Sequence, residues 1–338
     1  MTRKVKNIRK GRLMAFLLMV AIAALVYINP GNHHIFETEY DDETWFKPSL
    51  GITPDWYDDR TKPAAPSIEP DSSVLKSSDR LNSSNAILVR LKDQTILMQK
   101  NSEEKIYPAS LTKMMTAIVA IENLPDLKEE IKLTNSTFEG LFEAGASMAG
   151  FQPGEKVRAI DLLYGAMLPS GAECCIGLAD HIAGSEQTFA KIMNQRAEDL
   201  GMVNTHFENT TGLHHENHYT TVKDLAILLT YALQNNTFQE VFTSSRHSTR
   251  PTNIHPEGIT FYSTMSKGLS YQNIIGGKIL GGKTGYTDEA GLCLASLAQV
   301  GNQEYVLVTA GAKGDNKYEQ YHITDALAVY NSLIKQHS

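Results

Sequence analysis

Short apolar segments separated by a polar turn open the folded part of the chain and predict a β-hairpin. Residues 86–91 and 95–98 are apolar runs of strand length, and the polar residues 92–94 lie between them. Beyond residue 110 the apolar positions recur every three or four residues, which predicts a helix with a buried face. The apolar residues of this helix are Met114, Met115, Ile118, Val119 and Ile121.

The rest of the folded region alternates between helical and strand patterns. Helices are predicted at residues 160–168, 172–181, 187–200, 221–233 and 318–335. Late strands are predicted at residues 277–280, 291–300 and 304–310. A sheet built from the first hairpin and the last strands, with the middle helices inserted between them, is an α+β arrangement.

Residues 1–29 have the pattern of a basic cytoplasmic flank followed by a signal anchor. Basic side chains are concentrated in residues 3–12, and an uncharged apolar run follows from Leu13 to Ile28. This run is slightly shorter than the ~20 residues of a comfortable membrane span, and no small-residue cleavage site follows it. We expect residues 13–28 to anchor the chain in the cell membrane, with the remainder on the extracytoplasmic face. A cleaved signal peptide is the alternative.

Composition sets the domain organisation and excludes one class of partner. Residues 30–80 are polar, acidic and rich in proline, which predicts a linker, and residues 81–338 form the folded domain. The net charge of −7, without a basic stripe beyond the N-terminus, argues against nucleic-acid binding. Cys174, Cys175 and Cys293 are too few for a disulfide framework, and we expect them to be small buried apolar residues.

The first candidate site residues are Ser110 and Lys113. They are three residues apart, so a helix brings them to one face, and Pro108 suits the entrance of that helix. The unpaired N–H groups at a helix start favour a developing negative charge on oxygen. A lysine in apolar surroundings has its charged form disfavoured and can act as a base. The motif is short and common, so it needs partners to indicate a site.

Two later triplets supply candidate partners for the serine. Ser170 lies with Gly171 and Ala172 in a break between two predicted helices, where a side chain can point into a cleft. Lys283 and Thr284 follow a pair of glycines and lead into a strand, where they can offer a carboxylate two complementary contacts. Each triplet is weak alone, but their order behind Ser-x-x-Lys is far more specific.

With these motifs the chain from about Ser83 to Asp315 resembles the low-molecular-weight, penicillin-binding-protein type of serine D-alanyl-D-alanine carboxypeptidase of peptidase family S11. The segments that carry the resemblance are residues 107–113, 145–147, 152–155, 161–163, 218–221 and 283–287. The resemblance implies a D,D-peptidase-like antiparallel sheet flanked by helices, with an all-helical subdomain. It also implies a penicillin-reactive enzyme that needs no metal or organic cofactor.

The resemblance implies catalytic roles for three side chains. Ser110 is the nucleophile that becomes acylated, Lys113 accepts its proton, and Ser170 relays a proton to the leaving D-alanine. The substrates implied are peptidoglycan stem peptides or precursors that end in D-Ala-D-Ala. A β-lactam antibiotic is expected to acylate the same serine and to leave it slowly.

The resemblance also implies a substrate-binding strand. Lys283 and Thr284 hold the terminal carboxylate of the substrate, and Gly285 and Tyr286 continue the binding segment. The backbone N–H groups of Ser110 and Tyr286 form the oxyanion hole, where one donor is commonly worth on the order of 100-fold in rate.

Two departures from the family pattern affect these expectations. The second motif usually ends in asparagine, but Ala172 stands there and can contact neither the lysines nor the substrate. Glu173 either reaches the cleft or lies on a solvated face, because it is rotated by about 100° from its neighbour on a helix. Many relatives carry an additional C-terminal β domain, whereas we expect a lone catalytic domain here. The altered motif and the anchor suggest the carboxypeptidases of glycopeptide-resistance clusters, which trim D-alanine-ended precursors.

Other functions use some of the same residues. A zinc peptidase is suggested by His214, His215 and His218 near Glu216, but the spacing is not His-Glu-x-x-His. A β-lactamase needs a positioned deacylating base, for which no convincing glutamate loop is present. A transpeptidase or endopeptidase differs only in the acceptor. A membrane-tethered sensor of β-lactams or peptidoglycan is acylated without turnover, and Ala172 is the feature that favours it.

Overall fold

The structure is a computed structural model that describes residues 65–70, 80–269, 273–314 and 320–334. Its strands are β1 (Glu69–Pro70), β2 (Asn85–Arg90), β3 (Thr95–Lys100), β4 (Glu130–Lys132), β5 (Lys156–Arg158), β6 (Arg246–Ser248), β7 (Thr260–Tyr262), β8 (Asn273–Ile274), β9 (Gly277–Thr287), β10 (Gly291–Val300) and β11 (Gln303–Ala312). Its α-helices are α1 (Lys113–Asn123), α2 (Ala159–Met167), α3 (Ala172–Ala183), α4 (Glu186–Asp199), α5 (Val222–Ala232), α6 (Asn236–Thr243), α7 (Thr264–Gly268) and α8 (Tyr321–Ser332). Short 3₁₀ turns occur at Ala109–Thr112 and Ser136–Phe138.

Seven strands form one sheet in the order β1-β3-β2-β11-β10-β9-β8. All neighbouring pairs are antiparallel except the two-residue β1, which lies parallel to β3. The first hairpin therefore sits beside the last strands, although more than 200 residues separate β2 from β11 along the chain. This confirms the predicted α+β arrangement.

Both faces of the sheet are covered, so its central strands are apolar on both sides. In β2, Ile87 and Val89 pack into the larger core, while Ala86 and Leu88 pack into a second core on the opposite face. Successive residues of a strand point to opposite faces, which explains why β2 is a continuous apolar run rather than an alternating one. The larger core contains the helices of the middle region, and Tyr330 of α8 belongs to the second core.

Most predicted elements are present, with shifted ends. The first hairpin forms around a turn in which Gln94 has φ of 57°, and the predicted middle helices correspond to α2, α3, α4 and α5. The first late strand is longer than predicted: β9 continues to Thr287 and includes the Lys-Thr-Gly motif. Helix α6 was not predicted; its start is capped by Asn235, whose side chain accepts a hydrogen bond from the Phe238 N–H.

The cysteines are small buried residues, as predicted. Cys174, Cys175 and Cys293 are all free thiols, and each is fully buried. Burial raises the pKa of Cys175 and of Cys293 to about 12, because the thiolate form is disfavoured away from water. These thiols are therefore neutral and serve as packing residues.

The predicted anchor, residues 13–28, and most of the predicted linker lie outside the described residues. Within the linker range, Ile68 is buried in the larger core, and Glu69 pairs with Thr95 of β3. The domain thus includes residues that precede its predicted start at 81. Among the described helices, none is both long enough and apolar enough to cross a membrane.

Helix α8 is joined to the start of β2 by a single carboxylate. Asp325 is 2% exposed and accepts four hydrogen bonds from Asn82 and Ser83. Two come from backbone N–H groups, at 3.0 Å and 2.7 Å, and two come from side chains, at 2.9 Å and 2.7 Å. Charge-assisted bonds of this kind are stronger than neutral ones, so Asp325 connects the two ends of the domain.

We predict that Asp325→Ala lowers the free energy of unfolding by about 2–4 kcal/mol, because it leaves buried donors without an acceptor. Denaturant unfolding followed by circular dichroism measures the change. Asp126→Ala, at an exposed turn where the carboxylate accepts one backbone hydrogen bond, is the control and should change stability by less than about 1 kcal/mol. Equal denaturant midpoints for the two variants would contradict the conclusion that Asp325 stabilises the contact between α8 and the start of β2.

Candidate active site

The serine and lysine of the Ser-x-x-Lys motif lie side by side at the start of α1. Ser110 belongs to the 3₁₀ turn Ala109–Thr112, and Lys113 is the first residue of the α-helix. Residues three positions apart eclipse each other in a 3₁₀ turn, and the Lys113 Nζ donates a 3.1 Å hydrogen bond to the Ser110 Oγ. The same ammonium donates to the carbonyl oxygen of Thr211, which holds it beside the serine.

Burial weakens the affinity of Lys113 for its proton. The residue is 2% exposed, and its burial lowers the pKa of the ammonium below the ordinary value of 10.5. The negative charge of Glu173, when this carboxyl group is ionised, acts in the opposite direction and offsets part of this effect. A lysine with a lowered pKa loses its proton more readily and can act as a base toward the adjacent hydroxyl.

Close backbone packing holds the Ser110 turn in an uncommon conformation. Ala109 has φ of 47°, in the left-handed region that costs a non-glycine residue roughly 1 kcal/mol. Gly212 lies directly against this turn with φ of 80°, and a Cβ on it would come within 1.9 Å of the Ala109 carbonyl oxygen. Only glycine fits at position 212, because any side chain would displace the residue that precedes Ser110.

A neutral histidine supports the same turn. Burial lowers the pKa of His218 to about 3, so its imidazole carries no charge at pH 7. Its Nδ1 accepts the Glu208 N–H at 3.2 Å, which places the proton on Nε2, and this nitrogen donates to the Thr112 Oγ1 at 2.8 Å. Thr112 then donates to the Ala109 carbonyl oxygen at 2.8 Å. His218 therefore stabilises the turn that carries Ser110.

The other two histidines of the same loop contact other side chains. The His214 ring packs edge-on against Tyr107, with ring centroids 4.7 Å apart, and its Nδ1 is 3.8 Å from Glu289. The His215 Nδ1 is 3.9 Å from a carboxylate oxygen of Glu208. Across the described ranges, no group of three or more histidine, cysteine or acidic side chains is arranged to hold a metal ion.

A second serine–lysine pair faces the first. Ser170 lies in the break between α2 and α3 with φ of 70°, a conformation that is uncommon for a non-glycine residue. Lys283 of β9 is fully buried and donates to the Ser170 Oγ at 3.0 Å and to the Thr284 carbonyl oxygen at 2.8 Å. Burial, together with the positive charge of Lys113, holds the pKa of Lys283 well below its ordinary value.

The edge of β9 forms one wall of an open cleft of about 420 Å³. Strand β8 pairs only with Gly277 and Lys278 of this edge, and the cleft lies farther along it. A Cβ on Gly285 would be 3.0 Å from the Ser110 nitrogen, so glycine allows β9 to approach the nucleophile turn closely. The residues that line the cleft are Ser110, Ser147, Ser170, Thr264, Lys267, Gly268, Thr284, Gly285, Tyr286, Leu292, Gln320 and His322.

The seven predicted site residues come together around this cleft. Their sources are the turn before α1, the break before α3 and strand β9, and the residues are Ser110, Lys113, Ser170, Lys283, Thr284, Gly285 and Tyr286. Thr284 also hydrogen-bonds Thr264 of α7, with 2.7 Å between the two hydroxyl oxygens. The pattern did not single out Thr264 or Lys267, because α7 is short and carries no motif.

Glu173 is neither on a solvated face nor in the cleft, so both expectations for it were wrong. The residue is fully buried in the first turn of α3, and its Oε1 accepts the backbone N–H groups of Ala149 and Gly150 at 2.7 Å and 2.9 Å. Burial raises the pKa of this carboxyl group. The periodicity of α3 alone did not indicate that the preceding loop covers this position.

Comparisons with known proteins agree with this geometry. The family model for D-alanyl-D-alanine carboxypeptidase, peptidase family S11, matches residues 72–314. The D-alanyl-D-alanine carboxypeptidase DacF of Bacillus subtilis is 34% identical over 232 residues, which are 68% of this chain and 57% of the relative. The corresponding enzyme DacC of Escherichia coli is 32% identical over 242 residues, covering 68% of this chain and 56% of the relative. The chain thus spans little more than half the length of these curated relatives.

Solved structures show the same fold. A DD-transpeptidase of Streptomyces aligns with a TM-score of 0.66 at 26% sequence identity, covering 75% of this chain and 98% of that one. A D-alanyl-D-alanine carboxypeptidase of Mycobacterium tuberculosis aligns with a TM-score of 0.67 at 22% identity, covering 80% and 96% of the two chains. The family match, the fold and the assembled serine–lysine pairs agree, and the chain belongs to the D-alanyl-D-alanine carboxypeptidase family of peptidases, S11.

Proposed function

We propose that the protein is a serine D,D-carboxypeptidase that removes the terminal D-alanine from peptidoglycan stem peptides or precursors. The observation that carries the proposal is the 3.1 Å hydrogen bond between the Lys113 Nζ and the Ser110 Oγ, at a cleft bordered by a strand edge. A serine beside a lysine with a lowered pKa is the arrangement of an activated nucleophile. An edge strand can receive an extended peptide through its main chain.

Acylation begins with proton transfer between the first pair. Neutral Lys113 takes the proton of Ser110, and the Ser110 Oγ forms a bond to the carbonyl carbon of the penultimate D-alanine. The carbonyl oxygen becomes an oxyanion that accepts hydrogen bonds from the N–H groups of Ser110 and Tyr286. When this intermediate collapses, the C–N bond breaks, and the proton that Lys113 took from Ser110 passes through the Ser170 hydroxyl to the leaving amine, which leaves Lys113 neutral again. Ser170 accepts a hydrogen bond from Lys283.

Hydrolysis of the acyl-enzyme completes the cycle. Lys113 takes a proton from a water molecule, whose oxygen attacks the ester carbonyl carbon. The bond between that carbon and the Ser110 Oγ breaks, and Lys113 returns the proton to the serine oxygen. The products are free D-alanine from the first step and a peptide one residue shorter from the second.

Thr284 and Lys283 account for recognition of a free carboxylate. The Thr284 hydroxyl borders the cleft, while the Lys283 ammonium is buried behind it. A negative charge placed nearby favours the protonated form of a lysine. Binding of the substrate's terminal carboxylate is therefore coupled to the charge on Lys283, which selects peptides with a free C-terminus. A β-lactam carries a comparable carboxylate and acylates the same serine.

A transpeptidase is the second candidate function, and one observation favours it. One solved structure described above is a DD-transpeptidase of Streptomyces, and its alignment covers 75% of the present chain. In a transpeptidase the acceptor is an amine instead of water, and the acylation step is the same. The two functions differ in whether the acyl-enzyme yields a free carboxylate or a new peptide bond.

We also propose that residues 13–28 anchor the enzyme at the extracytoplasmic face of the cell membrane. The support is the uncharged apolar run that follows a basic flank. Together with Ala172 in the second motif, this anchor favours a role in trimming D-alanine-ended precursors in glycopeptide resistance.

We predict that the full chain releases D-alanine from a peptide ending in D-Ala-D-Ala and that Ser110→Ala abolishes this release. Loss of the nucleophile removes the acyl-enzyme, so the rate should fall by at least about 1,000-fold. D-Alanine is measured with a coupled D-amino-acid oxidase assay, and saturation with penicillin should give the same loss. Ser248→Ala, at an exposed serine in the strand β6, is the control. Covalent penicillin labelling without D-alanine release would favour a sensor or a transpeptidase.

We predict that the acylation rate rises with pH as Lys113 loses its proton. Because burial lowers the pKa of Lys113 below 10.5, the midpoint of this rise should lie below that pH. Lys113→Arg places a group that stays protonated at every accessible pH, so acylation should fall by at least about 100-fold. Stopped-flow measurement of β-lactam acylation between pH 6 and 10 tests both statements. An arginine variant with an unchanged pH profile would remove Lys113 from the role of base.

We predict that the full chain sediments with membranes after expression in a Gram-positive host. Deletion of residues 2–29 should move the penicillin-labelled protein out of that fraction, because this removes the apolar run. The matched control is a variant in which the basic residues of positions 3–12 are changed to serine. It should still sediment with membranes, because it retains the apolar segment, although it loses the charges that set the orientation of that segment. Membrane sedimentation of the deletion variant would contradict an N-terminal anchor.

A further inference from the structure

The loop before β5 is held against the first turn of α3 by three hydrogen bonds. The Glu173 Oε1 accepts the N–H groups of Ala149 at 2.7 Å and Gly150 at 2.9 Å. The Ala172 N–H donates to the Ser147 carbonyl oxygen at 2.8 Å. Glu173 thus accepts two of the three bonds that hold residues 147–150, which we call the Ser147 segment.

Close packing reinforces this attachment. A Cβ on Gly171 would lie 2.7 Å from the Ala149 Cβ and 2.9 Å from the Ala149 nitrogen, so the absent side chain allows the two backbones to touch. The Oε2 of Glu173 is buried without a hydrogen-bond partner in the described part of the chain. The side chain of Glu173 is thus fully buried where the Ser147 segment packs against α3.

The Ser147 segment brings a hydroxyl group to the wall of the cleft. Ser147 borders the same cleft as Ser110 and Ser170. It is exposed, and among the described residues its hydroxyl makes no hydrogen bond to the protein. A serine hydroxyl can donate one hydrogen bond and accept two, so it can pair with either group of a peptide bond.

Position 172 cannot make such a contact. Ala172 is 1% exposed and carries only a methyl group, where the family usually has an amide side chain. The wall of the cleft next to Ser170 therefore has no polar side chain from α3. Ser147, which belongs to the loop, also lines this cleft and carries a hydroxyl group.

We propose that Ser147 is a substrate-contacting residue that hydrogen-bonds a backbone peptide group on the acyl side of the scissile bond, and that Glu173 is the positioning residue that places it. This inference rests on the proposed function for its substrate class, a peptide with a free C-terminus. Ser147, in the loop, thus makes the substrate contact that an asparagine at position 172 of α3 would make.

The first test compares Ser147→Ala, Glu173→Ala and the double variant. Loss of one hydrogen bond to substrate should lower kcat/KM for the D-Ala-D-Ala peptide about 5- to 10-fold, mainly through KM. Because Glu173 acts through Ser147, the double variant should match the more impaired single variant within about twofold. Multiplied losses in the double variant, or full activity in Ser147→Ala, would overturn the proposal.

Two variants separate positioning from other effects of Glu173. Glu173→Gln keeps an oxygen acceptor at the same reach, so it should restore most of the activity that Glu173→Ala loses. If Glu173 acted by its charge on Lys113, the glutamine variant would be as impaired as the alanine variant and would shift the pH profile of acylation. Asp224→Ala removes another buried carboxylate that accepts a backbone N–H, at Asn204, and its effect should multiply with that of Ser147→Ala.

Peptide affinity is measured independently of turnover. The peptide protects Ser110 from labelled penicillin, and the concentration needed for half protection should rise about 5- to 10-fold in Ser147→Ala. If the wild-type enzyme released no D-alanine, the proposed function would fail, but this measurement would still decide the role of Ser147. Equal protection of wild type and variant would overturn it.

Discussion

The site depends on the burial of two ammonium groups beside two hydroxyl groups. Lys113 and Lys283 are each almost fully buried, and an unpaired buried charge is costly. The protein meets this cost with hydrogen bonds from each lysine to a serine and to a carbonyl oxygen. The same burial lowers the pKa of both lysines, because it disfavours their charged forms. Lys113 therefore loses its proton more readily and can act as a base.

Backbone contact sets how closely these groups can approach one another. A Cβ on Gly285 would lie 3.0 Å from the Ser110 nitrogen, so glycine allows β9 to run close to the turn that carries Ser110. Gly212 likewise fits against the Ala109 carbonyl oxygen. Ala109 and Ser170 both have positive φ although neither is glycine. Such conformations persist when surrounding packing determines them and they cluster at functional sites. The sheet, buried on both faces, supplies the rigid support for β9.

The sequence by itself determined the secondary structure of the apolar segments and the identity of the main site residues. The runs that became β2, β10 and α1 are long and strongly patterned, so local hydrophobic periodicity was sufficient. Ser110, Ser170 and Lys283 were predicted together because three short motifs stand in a fixed order, and this order was more specific than any one motif. The spacing of apolar residues could not have shown how close Ser110, Ser170 and Lys283 lie to one another in the folded protein.

The tertiary structure alone decided the environment of each side chain. Glu173 has no sequence signal that separates a solvated carboxylate from a buried one, and only the loop packed against α3 removes it from water. The same packing of the loop against α3 brings Ser147 to the wall of the cleft. The lowered pKa of Lys113 likewise requires neighbours from distant parts of the chain, such as Thr211. Burial and hydrogen bonding depend on contacts between residues far apart in sequence, whereas periodicity depends on residues that are close.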